Sequence, residues 1–290
     1  MTSTRKYRAL LLDLSGTLHV GTSALPRAVE SVSRLRAAGV PFRVCSNTSK
    51  DGTRALRRKL EDMGFDFAEH EVFTSIQAVR AELQARSIKH PLLLLSDSAL
   101  EDFTSYDAGT THPPSTYDAV VVGLAPALMN YDALNTAFRV LMSHKDRVPP
   151  ADVNATNWSG DEPVFIATHR SRYIRTQDNA LSLGPGAFIA GLEASSGVQA
   201  TVVGKPSREF FELALRSLSS EGVKQEDWSR CAIVGDDVES DLGGGAKEIG
   251  LGRVLVKSGK YLAGDETRAG GEVDLYDSFA RLVDELLGPT

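Results

Sequence analysis

Cysteine is scarce. Cys45 and Cys231 are the only two in 290 residues, far apart and each within an apolar run. That pair offers no disulfide framework and reads as two buried free thiols in a reducing compartment. Long hydrophobic stretches are missing as well. The longest apolar run near the start, residues 9–12, is too short for a signal-peptide core or a membrane span. A soluble, cytoplasmic protein with no membrane partner is expected. There is no basic excess either: the net charge of −6 gives no support to a nucleic-acid partner. No internal repeat, low-complexity tract or His/Cys cluster is present, and the last of these absences speaks against a zinc site.

What is present is a rhythm. Residues 9–14 read as a buried strand and 26–38 as a helix with Pro26 near its first turn, stopped by Gly39. A strand at 42–45 and a periodic helix at 51–63, ended by Gly64, follow. Further on, 200–203, 231–234 and 253–256 read as strands, with helices at 209–218 and about 242–249 between them. This βαβα order predicts an α/β protein whose Rossmann-like parallel-sheet core is covered by helices on both faces. The middle of the chain has its own strands at 91–95, 119–123 and 164–168 and a helix at 131–143. A second α/β module inserted into the first explains it, with the core at 1–80 and 184–290 and the insert at 81–183. Residues 144–162, carrying Pro149, Pro150 and Gly160, read as an exposed loop.

Four strand ends carry the chemistry. Asp13 closes the first strand, at the edge where parallel sheets bind ligands, and Gly16 lets the chain turn sharply after it. A strand-ending Asp also commonly caps a turn. Val234-Gly235-Asp236-Asp237 runs another strand into acids, with Asp241 close behind. Carboxylates at this density repel unless a cation sits among them, and oxygen-only donors suit Mg²⁺. Asp241 could equally cap the next helix and Asp237 could be a solvated turn residue, while Asp236 still binds metal. Gly204-Lys205-Pro206 places a point cation after 200–203, able to neutralise a phosphate or simply to be solvated. Ser46, followed by Asn47 and Thr48, offers a hydroxyl or a helix cap. Together Asp13, Ser46, Lys205 and Asp236 are expected at one edge of one sheet, where they would make a site for a metal-bridged phosphoryl group.

In this order the four motifs resemble those of the haloacid dehalogenase superfamily of phosphohydrolases, over the whole chain. The insert resembles that superfamily's type-2 cap, as in its nitrophenylphosphatase-like branch. Asp13-Leu14-Ser15-Gly16-Thr17-Leu18-His19, Gly204-Lys205-Pro206, Gly235-Asp236-Asp237, Val256-Lys257-Ser258-Gly259-Lys260-Tyr261, Thr168-His169-Arg170 with Tyr173, and Leu183-Gly184-Pro185-Gly186-Ala187-Phe188 are similar to a narrower pair of its members. The resemblance implies that Asp13 is the nucleophile forming an aspartyl-phosphate. It implies that Mg²⁺ is held by Asp13, the Ser15 carbonyl and Asp236, with Asp241 orienting a metal-bound water or Lys205. Ser46, Asn47 and Lys205 would hold the phosphoryl oxygens, and residues around 168–173 would face the leaving group. Relatives with this cap often pair through it, so a homodimer is implied.

One position departs from the superfamily's general pattern. Ser15 stands where most of these phosphatases have the acid/base Asp, and a serine hydroxyl has no useful pKa near neutrality. The expectation is a slow phosphohydrolase acting on small or activated phosphoryl substrates: phosphoramidate, acyl phosphate, pyrophosphate or aryl phosphate. The alternatives are a phosphoryl-binding protein with little or no catalysis, and a phosphotransferase. A dehalogenase suits Lys205, Ser46 and Asp236 poorly. The Gly243-Gly244-Gly245 run fails the dinucleotide-binding spacing.

Overall fold

A computed structural model describes residues 5–106, 112–143, 164–175 and 180–288. The chain divides into two compact units. The first comprises Met1–Ser46, Leu56–Phe73 and Lys205–Thr290; the second, inserted in sequence, comprises Asn47–Ala55 and Thr74–Gly204. The boundaries expected at 80/81 and 183/184 fall inside the second unit. Helix Gly186–Ser196 belongs there because Ile189 and Leu192 pack into the second unit's own apolar cluster.

The first unit is built on a six-stranded sheet. Its order is Asp274–Tyr276, Gly252–Val256, Ala232–Gly235, Leu10–Asp13, Phe42–Ser46, Val72–Thr74. The first four pairings in that order are parallel. Leu10–Asp13 is central and buried along its length, which is why it reads as an unbroken apolar run and not as an alternation. Leu10, Leu12, Val44, Val234 and Val254 share one apolar cluster with Val32 and Leu35 of helix Ala28–Ala37. Phe279, Leu282 and Val283 of helix Phe279–Leu287 join the same cluster. Helix starts follow local chemistry. Ser207 Oγ accepts the Phe210 N–H at 3.2 Å, and Ser278 Oγ accepts the Arg281 N–H at 3.3 Å, each satisfying a donor the first helical turn leaves over.

The second unit holds a four-stranded sheet in the order Thr201–Val202, Val164–Ala167, Ala119–Val122, Pro91–Leu94, with every pairing parallel. Helices Tyr131–Leu141 and Gly186–Ser196 pack their apolar faces against it. A separate antiparallel ribbon pairs Tyr173–Arg175 with Leu181–Leu183. The chain is thus α/β, with a Rossmann-like parallel-sheet core and an inserted α/β unit.

One expectation about the sheets needs correction. The segment 200–203 reads in the sequence as a core strand, so that Lys205 would leave the same sheet as Asp13. Instead Thr201–Val202 pairs with Ile166–Ala167 of the second sheet, and the Val203 N–H continues that pairing to Ala167 O at 3.0 Å. β-Branched residues mark a strand but carry no address for its partner. The expected loop at 144–162 lies outside the described residues. Among the described residues, no helix is long and apolar enough to cross a membrane.

Candidate active site

Parallel register brings the strand ends of the first unit level. Leu12 lies opposite Val234 on one side, and Asp13 lies opposite Cys45 on the other. Asp236 and Ser46 therefore emerge beside Asp13 at the carboxyl edge of the sheet. Asp13, Ser46, Lys205, Asp236 and Asp241 are all buried. Lys205 follows directly on the inserted unit in sequence, and its Nζ donates to three acceptors of the first unit. These are Asp13 Oδ1 at 2.5 Å, Asp241 Oδ1 at 2.7 Å and the Cys45 carbonyl at 3.1 Å. Lys205 thus meets the acids, although it follows a strand of the other sheet.

Asp13, Asp236 and Asp241 each offer a carboxylate oxygen, and these atoms lie within 4.8 Å of one another. Burial and then the charges of Asp13 and Asp241 push the Asp236 carboxyl up to about 8, against an opposing hydrogen bond from the Lys260 amide. Burial and Asp13 likewise raise Asp241, although Lys205 pulls the other way. Burial alone would lower the Lys205 ammonium, but Asp13 and Asp241 outweigh it and raise it well above the ordinary lysine range. Three buried carboxylates against one ammonium leave an excess of negative charge that a small hard cation would relieve.

Backbone turns hold these groups in place. Leu14 O accepts the N–H groups of Leu18 and His19 at 2.9 and 3.1 Å, and the Gly16 N–H reaches His19 O at 2.7 Å. Gly16 sits at φ +91°, and a Cβ there would run into the Asp236 carboxylate. Gly259, at φ +60°, is limited in the same way by the same carboxylate. Gly16→Ala should therefore cost about 1–3 kcal/mol from backbone strain alone and displace Asp236. Urea unfolding together with a Mg²⁺ titration checks both effects, and a variant with unchanged stability and metal affinity would contradict the packing argument.

Asp241 has both oxygens engaged: Oδ1 accepts from Lys205, and Oδ2 accepts the Asp237 N–H at 3.2 Å. The Ser15 side chain, by contrast, is exposed. Asn47 belongs to the second unit, where a Cβ on Gly204 would meet its Oδ1. Thr168 and His169 are buried in the second unit, and His169 Nε2 stands 3.4 Å from Ser49 Oγ. Lys260 carried no expected role, yet its N–H donates to Asp236 Oδ2 at 2.6 Å. That bond is made by the backbone, so no residue-type pattern could have revealed it.

Two sequence families match this chain. Haloacid dehalogenase-like hydrolase covers residues 10–108, and HAD-hydrolase-like covers residues 202–282. The chain belongs to the haloacid dehalogenase-like hydrolases and is an enzyme of the phosphatase kind within them. It is 40% identical to haloacid dehalogenase-like hydrolase domain-containing protein 2 of Rattus norvegicus over 288 residues, 99% of this chain and 98% of that protein. It is 32% identical to phospholysine phosphohistidine inorganic pyrophosphate phosphatase of Mus musculus over 285 residues, 97% of this chain and 94% of that protein. The fold is shared with the crystal structure of 4-nitrophenylphosphatase from Thermotoga maritima, at a TM-score of 0.79 and 24% identity, covering 96% of this chain and 97% of that one.

Proposed function

We propose that the chain is a Mg²⁺-dependent phosphohydrolase acting through an aspartyl-phosphate on Asp13, with small, activated phosphoryl groups as substrates. The observation that carries this reading is the buried bridge from Lys205 to both Asp13 and Asp241, beside Asp236. A carboxylate fixed by a lysine and set among acids is a nucleophile with a cation site beside it. The donor set fits Mg²⁺: it is buried, made of oxygen, and over-charged without a partner. Asp13, Asp236 and the Ser15 carbonyl would hold the ion. Asp241 would hold Lys205, because its own oxygens are already engaged. When bound, Mg²⁺ supplies positive charge to the phosphoryl oxygens.

The residues then divide the work. Ser46, Asn47 and Lys205 bind phosphoryl oxygens. An Asp13 oxygen attacks phosphorus as the bond to the leaving group breaks, and the leaving group departs with the electron pair. Water then attacks the phosphorus of the aspartyl-phosphate, releasing inorganic phosphate and restoring the carboxylate. Exposed Ser15 contributes no proton at neutral pH, so leaving groups that need little protonation react best. Phosphoramidates, acyl phosphates, pyrophosphate and aryl phosphates meet that condition, and alkyl monoesters do not. One relative, phospholysine phosphohistidine inorganic pyrophosphate phosphatase, is named for substrates of this kind.

The test is hydrolysis of p-nitrophenyl phosphate and phosphoramidate with Mg²⁺ and with chelator. Turnover only with Mg²⁺ is expected, together with a rise in melting temperature that chelator reverses. An alkyl phosphate hydrolysed as fast as phosphoramidate would end the substrate proposal. Ser15→Asp should restore acid/base assistance worth about 10²–10⁴-fold, raising alkyl monoester turnover far more than phosphoramidate turnover. If the substitution raised both equally, the missing proton donor would not be what sets selectivity. The serine also favours a second reading, a phosphoryl-binding protein. Phosphate and Mg²⁺ binding with no turnover on either substrate would select it.

A further inference from the structure

The turn that follows strand Gly252–Val256 makes two separate bonds to two consecutive acids. The Lys260 N–H donates to Asp236 Oδ2 at 2.6 Å, and the Lys260 ammonium pairs with Asp237 Oδ2 at 2.7 Å. Gly259 permits this approach, since any side chain there would meet Asp236. Asp237 is also the hub of its own turn. Its Oδ1 accepts the Glu239 and Ser240 N–H groups at 3.0 and 3.1 Å, and its N–H donates to Asp241. The Lys260 ammonium and these two amides all meet the Asp237 carboxylate, whose negative charge they balance.

That charge is a liability for the reaction proposed above. A site that must accept a phosphoryl anion already holds the carboxylates of Asp13, Asp236 and Asp241, and Asp237 adds a further anion next to them. Asp237 has no part in the cation cluster. Resting on the phosphohydrolase reading, we propose that Lys260 is a positioning residue with two tasks. Its amide fixes Asp236, and its ammonium cancels the charge of Asp237 so that the site admits a phosphoryl anion.

The two tasks can be separated, because Lys260→Ala keeps the amide and loses the ammonium. The Lys260 side chain is 59% exposed, so the variant should fold, and a melting curve verifies this. Inorganic phosphate binding is measured by calorimetry at saturating Mg²⁺, beside a Mg²⁺ titration without phosphate. In Lys260→Ala the phosphate Kd should rise about three- to tenfold, the scale of one unscreened charge several ångströms away in a partly aqueous site. Mg²⁺ affinity should not fall. With p-nitrophenyl phosphate the loss should appear in KM more than in kcat. Lys260→Arg should retain wild-type phosphate affinity. Adding Asp237→Asn to Lys260→Ala should restore it too, because the asparagine Oδ1 can still accept the Glu239 and Ser240 amides while the stray charge is gone.

Unchanged phosphate affinity in Lys260→Ala overturns the inference. So does a loss that Asp237→Asn fails to rescue, since that pattern belongs to a turn that has merely come loose. Wild-type protein that binds neither Mg²⁺ nor phosphate would instead remove the phosphohydrolase reading itself.

Discussion

Asp13→Asn will reduce Mg²⁺-dependent hydrolysis of p-nitrophenyl phosphate by on the order of 10⁴-fold or more while leaving the protein folded. The amide is nearly the same size and can still accept from Lys205 through Oδ1. It is a far poorer nucleophile and cannot form the acyl phosphate. Because a neutral side chain here also removes one of three crowded carboxylates, the metal-free variant should be no less stable than wild type. Rapid quench with ³²P-labelled substrate gives the complementary reading: acid-stable, hydroxylamine-sensitive label on wild type and none on the variant. Comparable turnover by the two proteins would exclude Asp13 as the nucleophile.

The second large effect is on stability. Lys205→Met will destabilise the first unit by about 3–5 kcal/mol, the usual result of removing one partner from a buried ionic cluster. Its side chain is 2% exposed and its ammonium contacts Asp13, Asp241 and the Cys45 carbonyl. The methionine fills the volume but leaves two acids facing each other without a cation. The loss should be largest at high pH, where the Asp241 carboxyl, raised by burial and by Asp13, is ionised, and should shrink in acid as it takes up a proton. Asp241→Asn in the same chain should recover part of it, since coupled sites do not add. Urea midpoints of the three variants at two pH values measure this. Equal destabilisation at both pH values would show the loss to be one of packing.

Much of this centre is legible from residue types alone. An Asp or Lys just past an apolar run, followed by Gly or Pro, marks a strand end and a turn, and the parallel βαβ rhythm predicts that such ends meet. Asp13, Ser46 and Asp236 were recoverable for that reason. Lys205 was recoverable as a residue, though not by its route, because strand 201–202 joins the second sheet and nothing in its residues names a partner. Helix Phe279–Leu287 went unread despite its period of Phe279, Leu282, Val283 and Leu286, and strand Asp274–Tyr276 was too short to stand out. Lys260 stayed hidden for a different reason: its contact with Asp236 is through a backbone N–H, which every residue except proline has. The helix at Ser75–Ala85 begins with a Thr74–Gln77 capping box, a pattern the sequence does display.

The contact between Lys205 and Asp13 joins residues 192 positions apart. Until residue 205 has been made and has returned, the inner end of the central strand has an acid facing the interior with no cation to meet it. A nascent or truncated chain ending anywhere in the inserted unit must therefore keep that strand end hydrated and open, whatever apolar surface is ready to close over it. The inserted unit, with a sheet and an apolar cluster of its own, is under no such restraint. Synthesis in the amino-to-carboxyl direction should thus produce a folded middle before a folded beginning, and the Asp13 carboxylate should be among the last groups in the molecule to lose its water.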